Sequence, residues 1–502
     1  MINSDVDAHT QALIRHLDEE LNRAGFRTLS CGDSSSEWKW SGKAGPQKEV
    51  AEIALTDRFP YGPPDVVLPN RHGHTSWHRD ARGVLCLWDT HAQGDLPWLD
   101  VPTLLGRVKE WIENDDAGWA NDAPALDLEA YHHPHRLLRG QRIEYPLLVI
   151  DDWNAVAGHW FRVKSPGEYG RMDLAGGRRL APKIRVKSKS RKKKGHGAGN
   201  FLDGVAVDLG EMAAPLVSNA DLLAALGKHR APAAAVLGAG QPVLLVCRYT
   251  RLGAVGLIGF WLTRQGGQLI RPYFEVAERL SSQRRRAGWH AEVVKDRTVA
   301  VIGAGSVGAY VTDMLHRSGV RHLLVHDFDT LKPGNLVRHV APSQYVGAPK
   351  AHAVKMVAAD RDVAHQINVG TSVRSLGDAV NLLREHDLVV DCTGDRLTWQ
   401  LLLAASGIAE RRFLHVAVEG HGQYGRVDVC PPFDGAAALP ADGVQLLALA
   451  EREGGCGDPV SPTPPVAAFE TAAIGARLAI RILAGEPIPP AGERRELFPV
   501  NP

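Results

Sequence analysis

Hydrophobic and polar positions repeat along the chain with two different periods, and the changes between them divide it into regions. Leu13, Ile14, Leu17 and Leu21 recur at helical spacing, which predicts an amphipathic helix over 7–24 stopped by Gly25. Strands follow over 36–40 and 49–55, the second alternating apolar with polar, and 104–112 predicts another helix. The middle of the chain offers strand-like runs at 145–150 and 243–249 and an alternating run at 255–262. From residue 298 the pattern alternates strand with helix. Val299–Ile302 is a short β-branched run suited to a strand buried on both faces. A helix then carries Val311, Met314 and Leu315 to a stop at Gly319, and a second strand covers His322–His326. Further on, 351–359, 398–407 and 467–483 predict helices, and 386–390, 413–418 and 425–429 predict strands. The whole is a multidomain α/β chain: an α+β domain over 1–135, a mixed or β-rich linker domain over 136–290, and a wound α/β domain over 291–502.

Chemistry enters at the turn after the strand at 299–302. Gly303, Gly305 and Gly308 stand in G-x-G-x-x-G spacing. The first glycine permits a tight turn, the second lets backbone approach a phosphate, and the third lets helix pack on strand. Asp327 and Asp329 follow the second strand, where an acidic side chain meets ribose hydroxyls. So far a nicotinamide-linked oxidoreductase fits as well as any enzyme that binds ATP.

Composition narrows the partners. The 502 residues allow two to four domains, and 58 basic against 57 acidic residues leave no global field toward nucleic acid or anionic lipid. The dense basic run 183–194 (KIRVKSKSRKKK) reads as a solvated loop, with contact to an acidic partner or nucleic acid as the alternative. No apolar run is long enough to cross a bilayer, and no signal sequence follows Met1. Six scattered cysteines without a C-x-x-C pair argue against a disulfide framework or a cysteine zinc knuckle, so a reducing cytoplasm is the expected setting.

The residues beyond the glycine turn separate the two nucleotide readings. Asp327-Phe328-Asp329 is followed by Asn335-Leu336-Val337-Arg338, then Gly347-Ala348-Pro349-Lys350, then Asp391-Cys392-Thr393-Gly394-Asp395. This ordered series, from about Lys295 to Ile482, resembles the ThiF/E1 family, Rossmann-like adenylating enzymes that activate ubiquitin-like proteins and sulfur carriers. The resemblance implies ATP and Mg²⁺. Gly303, Gly305, Gly308, Asp327, Asp329 and Asn335 would hold the nucleotide, Arg338 and Lys350 would neutralise its phosphates, and Asp391 or Asp395 would hold the metal. It also implies a homodimer, with one of Arg284, Arg285 and Arg286 reaching the partner's ATP site; a surface cluster is the competing reading of those arginines. Cys456, in a glycine-flanked loop, is the candidate thiol to take the acyl group, whereas Cys392 and Cys430 read as packing residues.

Near the amino end, Phe59-Pro60-Tyr61-Gly62-Pro63-Pro64 is followed by Gly83-Val84-Leu85-Cys86-Leu87-Trp88. This pair of motifs resembles the ubiquitin-conjugating (E2, or UBC) fold at its active-site cysteine, and Leu126–Tyr131 resembles the segment that closes such domains. Eukaryotic E2 proteins carry His-Pro-Asn upstream of the cysteine. Here an ungapped count places Ser76, Trp77 and His78 there, so His78 stands for the Asn; it either donates to an oxyanion or caps a loop. A fused E2–E1 order resembles enzymes of bacterial antiphage operons of the CBASS type. The implied partners are a glycine-ended protein, either ubiquitin-like or a nucleotidyltransferase of the CD-NTase kind, and an acceptor lysine. Two other functions compete: an NAD-linked oxidoreductase, and a non-catalytic adaptor whose E2-like half only binds partners.

Overall fold

The computed structural model describes residues 2–71, 76–80, 82–88, 96–120, 122, 146–164, 171–174, 201–227, 243–265, 268–271, 273–361, 367–371, 373–441, 444 and 461–498. Cys456, the 126–131 segment, His72, His74 and the basic run 183–194 lie outside them. The chain divides into two compact units, Met1–Glu278 and Arg279–Pro502.

The first unit opens with α1 (Ile2–Arg23), then four antiparallel strands in sequential order: β1 (Arg27–Ser30), β2 (Lys39–Ala44), β3 (Glu49–Ala54) and β4 (Asp65–Val67). Helix α2 (Val101–Asp116) closes this layer, its first turn capped by the Asp100 carboxylate, which accepts from the Thr103 N–H. The helical stripe read from the sequence is the buried one. Ile14, Leu17 and Leu21 pack with Trp40, Ile53, Leu104, Val108 and Ile112 in one apolar cluster. Alternation in β3 follows from a sheet with one covered face, which buries Ala51 and Ile53.

The rest of this unit is a mixed sheet: β5 (Leu147–Ile150), β6 (Trp160–Lys164), β7 (Arg171–Asp173), β8 (Phe201–Glu211), β9 (Val243–Arg251), β10 (Ala254–Gln265), β11 (Gln268–Ile270) and β12 (Tyr273–Glu278), with α3 (Asn219–Leu226) after β8. Its order is β6-β8-β9-β10-β12-β5-β7, with β11 paired to β10. Strand β8 carries no alternation clear enough to read from the sequence; it is held between β6 and β9.

The second unit starts with α4 (Arg279–Arg286) and α5 (Ala291–Val294) and builds one seven-stranded sheet. Its strands are β13 (Thr298–Ile302), β14 (His322–His326), β15 (Asn368–Gly370), β16 (Leu388–Asp391), β17 (Phe413–Glu419), β18 (Tyr424–Cys430) and β19 (Gly492–Glu496), in the order β15-β14-β13-β16-β17-β18-β19. The first five are parallel, and β18 and β19 run antiparallel. The helices are α6 (Gly308–Arg317), α7 (Lys350–Asp360), α8 (Leu376–Glu385), α9 (Arg396–Ala409) and α10 (Pro465–Leu483). Val299 and Val301 face a cluster containing Leu315, Val354, Ile474 and Leu478, while Ala300 and Ile302 face one containing Val380, Leu383 and Leu402. Helices therefore cover both faces of β13, the physical reason for an unbroken apolar run there. Strand order reverses between β13 and β16, and such a switch point opens a crevice beyond the carboxyl ends of the strands.

Candidate functional site

At that switch point Ile302, His326 and Asp391 lie in register at the ends of β13, β14 and β16. The chain turns at Gly303, whose φ of +88° suits glycine, and the turn is tied by Gly303 N–H to the His326 carbonyl (2.7 Å). Gly308 opens α6 against the turn itself, where a Cβ would collide with the Gly303 carbonyl oxygen and crowd Cys392. At Gly305, by contrast, a Cβ would meet no protein atom. That glycine leaves open the mouth of a cavity of about 220 Å³, lined by Gly305, Ser306, Asn335, Arg338, His339 and Lys350.

Four of the lining side chains, Asn335, Lys350, Arg338 and His339, are held by their own hydrogen bonds. Asn335 Oδ1 accepts from Lys332 N–H (2.8 Å). Lys350 is the first residue of α7; its Nζ donates to the Asp329 carboxylate (2.8 Å) and its N–H to the Asp329 carbonyl (2.8 Å). Arg338 donates to the Ser461 and Thr463 carbonyls (3.2 and 3.0 Å), just before α10. His339, absent from the sequence-derived set, is buried beneath the turn. It accepts at Nδ1 from Ala341 N–H (3.1 Å) and so donates from Nε2 to the Ala304 carbonyl (2.9 Å), a pattern that defines a neutral tautomer. Burial pushes its pKa below the ordinary value. Only its position beside Arg338 in the sequence could have drawn attention to it; Ser306 likewise lies inside the glycine run.

The two aspartates after β14 divide their work. Asp327 accepts from Ala304 N–H (2.6 Å) and Asp329 N–H (2.7 Å), so it braces the turn, whereas Asp329 is exposed and pairs with Lys350. Backbone amides at a helix start, two cations and an amide side chain around one cavity fit a polyphosphate.

The acids expected to hold a metal are committed to the protein. Asp391 is fully buried; one oxygen accepts from the Thr393 N–H and hydroxyl, and the other is 2.8 Å from His415 Nδ1. It does not fit the role of an open ligand. Asp395 is exposed but caps α9, accepting from Leu397 and Thr398, and the Thr398 bonds hold its carboxyl below the usual carboxylate range. Among the described residues no group of three His, Cys, Asp or Glu side chains is close enough to hold a metal ion. Arg284, Arg285 and Arg286 form the last turn of α4, where Arg284 pairs with Glu292.

In the first unit Cys86 and Cys31 are exposed. Cys247, Cys392 and Cys430 are buried, and burial raises their thiols, Cys430 to about 12, consistent with packing roles. The Cys86 N–H donates to the His78 carbonyl (2.8 Å), which also accepts from Trp111 Nε1 (2.8 Å). His78 sits at φ +53°; its Nε2 lies 2.7 Å from Asp122, and its ring packs on Trp119 at 4.4 Å. The structure thus brings His78 and Cys86 together.

Comparison with known proteins agrees with the geometry of the second unit. Residues 284–447 match the ThiF family. The chain is 29% identical over 219 residues to an ATP-dependent ubiquitin transferase-like protein Cap2 of Enterobacter hormaechei subsp. hoffmannii, a match covering 40% of this chain and 36% of that protein. It is 38% identical over 109 residues to the molybdopterin-synthase adenylyltransferase of Escherichia coli K12, covering 20% of this chain and 41% of that one. Among solved structures it overlaps the microcin C7 biosynthetic enzyme MccB in complex with N-formylated MccA, at 15% identity and a TM-score of 0.33 over 42% of this chain and 68% of that one. The chain therefore spans less than half the length of the two curated relatives.

Proposed function

We propose that the second unit, a ThiF-type wound α/β domain, is an adenylyltransferase that joins the terminal carboxylate of a glycine-ended protein to AMP at the expense of ATP. The observation that carries this is the cavity where Asn335, Arg338 and Lys350 converge on the turn at Gly305 and Ser306. A carboxylate oxygen attacks the α-phosphorus and pyrophosphate leaves. Turn amides and the two cations stabilise the charge that builds on the phosphates, and the neutral His339 below holds the turn in shape. Asp329, exposed at the rim, is the better placed of the two aspartates for the ribose, since Asp327 is spent on the backbone. Mg²⁺ accompanying ATP would add its charge to that of Arg338 and Lys350, and Asp395 is the one of the two proposed ligand acids that solvent reaches.

The remainder of the proposal concerns sulfur. Cys456 attacks the acyl carbon and AMP leaves; Cys86 takes the acyl group by thioester exchange and yields it to an amine, the acceptor being a lysine. The hold of Arg338 on Ser461, a few residues beyond Cys456 and beside the cavity, supports the first transfer. The α-ββββ-α order of residues 2–116, with Cys86 exposed and paired through its backbone to His78, supports an E2-like domain over 1–135, followed by a β-rich domain over 136–290 and the adenylation domain over 291–502. In this reading the protein works as a homodimer in bacterial antiviral defence, and its substrate is a ubiquitin-like or CD-NTase-like protein. No helix among the described residues is long and apolar enough to cross a membrane.

Pyrophosphate exchange with ATP, measured on the purified chain with glycine-ended candidate proteins, tests the first half. Exchange that requires the terminal glycine is expected. Tight NAD binding in this cavity with no exchange would return the oxidoreductase reading. Thiol-sensitive adducts that disappear in Cys86→Ala and in Cys456→Ala test the second half, and their absence would leave the adaptor.

A further inference from the structure

The stretch Ser76–Asp80 belongs by sequence to the first layer of its unit, yet the Trp77 side chain is seated in the β-rich one. Trp77 is 4% exposed and packs in the same apolar cluster as Val205, Val243, Tyr249, Ile258 and Phe260. Its Nε1 donates to the Ala213 carbonyl (3.1 Å). The guanidinium of Arg251, the last residue of β9, lies 4.0 Å over the Trp77 ring and is 2% exposed. A cation so deeply buried needs an anion, and Arg251 donates to the Asp122 carboxylate. The same carboxylate oxygen meets His78 Nε2 at 2.7 Å. Burial alone would raise the Asp122 carboxyl; the His78 bond, with Arg251 behind it, outweighs that and holds it low.

The register places residue 78 opposite Cys86. Arg79 and Leu85 form an antiparallel bridge, flanked by Asp80 N–H to the Val84 carbonyl (2.9 Å) and Cys86 N–H to the His78 carbonyl (2.8 Å). Residues 78 and 86 are therefore direct cross-strand neighbours along the backbone. His78 keeps a left-handed φ that is costly for a residue with a Cβ, and a backbone in that region persists only when its surroundings hold it.

We infer that Asp122 and Arg251 are positioning residues for chemistry at Cys86. Arg251 locks the Asp122 carboxylate, Asp122 holds the His78 imidazole, and the His78 carbonyl in turn accepts from the Cys86 N–H. An attacking amine forms its C–N bond to the acyl carbon, the C–S bond to Cys86 breaks with the pair on sulfur, and the amine proton passes to solvent. The β-rich layers thereby gain a part in the reaction: they supply the arginine and the socket for Trp77. The inference rests on Cys86 as an acyl carrier.

The test uses the full-length chain and a chemical donor, N-acetylglycine thiophenyl ester, which acylates Cys86 by thioester exchange without ATP. Peptide mass mapping follows loading of Cys86 and its discharge to Nα-acetyl-lysine. In Asp122→Asn and Arg251→Gln the ratio of discharge rate to loading rate is expected to fall about ten- to a hundredfold, with partial recovery in Arg251→Lys. An unchanged ratio in both variants overturns the inference. So does a parallel loss of loading, discharge and thermal stability in Asp122→Asn, which preserves shape and isolates the charge. Failure of the wild-type chain to load at Cys86 would instead overturn the thiol-relay reading beneath it.

Discussion

Around the cavity at Gly305 the lining groups come from one stretch, Gly305 to Lys350, whereas around Cys86 the linked groups come from positions 78, 122 and 251. The first site is made by turns at consecutive strand ends of one sheet. Most polar groups there are anchored within or next to the same stretch, Asn335 on Lys332, Lys350 on Asp329 and Asp327 on Ala304, while Arg338 alone among these reaches well outside it to Ser461 and Thr463. The second is made where two layers meet, and its key carboxylate is anchored by a strand 129 residues away. A site of the first kind answers mainly to substitutions within its own motif. A site of the second kind answers also to changes in a domain that never touches the reacting atoms.

That contrast can be broken in order of effect. Cys86→Ala should abolish thiol-linked adducts at that site while leaving glycine-dependent pyrophosphate exchange at the wild-type rate; an equal loss of both would merge the two sites into one. Lys350→Ala and Arg338→Ala should each slow exchange by roughly 10²–10³-fold, the scale for removing one group that stabilises transition-state charge. Chemical loading of Cys86 in these variants checks that the first unit is undisturbed.

Gly308→Ala should cost about 1–3 kcal/mol, because the new methyl must displace the Gly303 carbonyl from a packed turn. Hydrogen exchange of the β13 amides reads that cost locally, and wild-type protection would contradict it. The smallest effect concerns pH. Burial lowers the pKa of His326 and His339, so the unfolded chain binds protons at these sites that the folded unit does not. Their contribution is present above the unfolded value of about 6.5 and is lost as pH falls from there toward the folded values. Protection of the β13 and β14 amides should drop between pH 7.5 and 5.5, less so in His339→Gln, and a flat profile would remove the claim.

Much of the second unit was legible before any coordinates. The strand at 322–326 has the limits expected of it, and β13, α7, β17 and β18 differ by a residue or two. Periodicity reports these well because a sheet covered on both sides demands continuous apolar runs. Other elements left no such trace. Strand β8 is glycine-containing and only partly apolar, and β19 is a short charged edge strand, GERRE. The commitments of Asp391 to His415 and of Asp395 to the start of α9 were also hidden, since a motif shows which acids are near a site but not whose hydrogen bonds they accept.

By itself the sequence determined the glycine turn, the cations that follow it and the alternation of strand and helix, because backbone turns and apolar periodicity are written within a few residues. Only tertiary structure decided that His339 lies beneath the turn, that Asp391 is sealed from solvent, and that Arg251 reaches Asp122 beside His78. Those outcomes depend on which surfaces exclude water from which charges, a property of the packed layers and not of any local spacing.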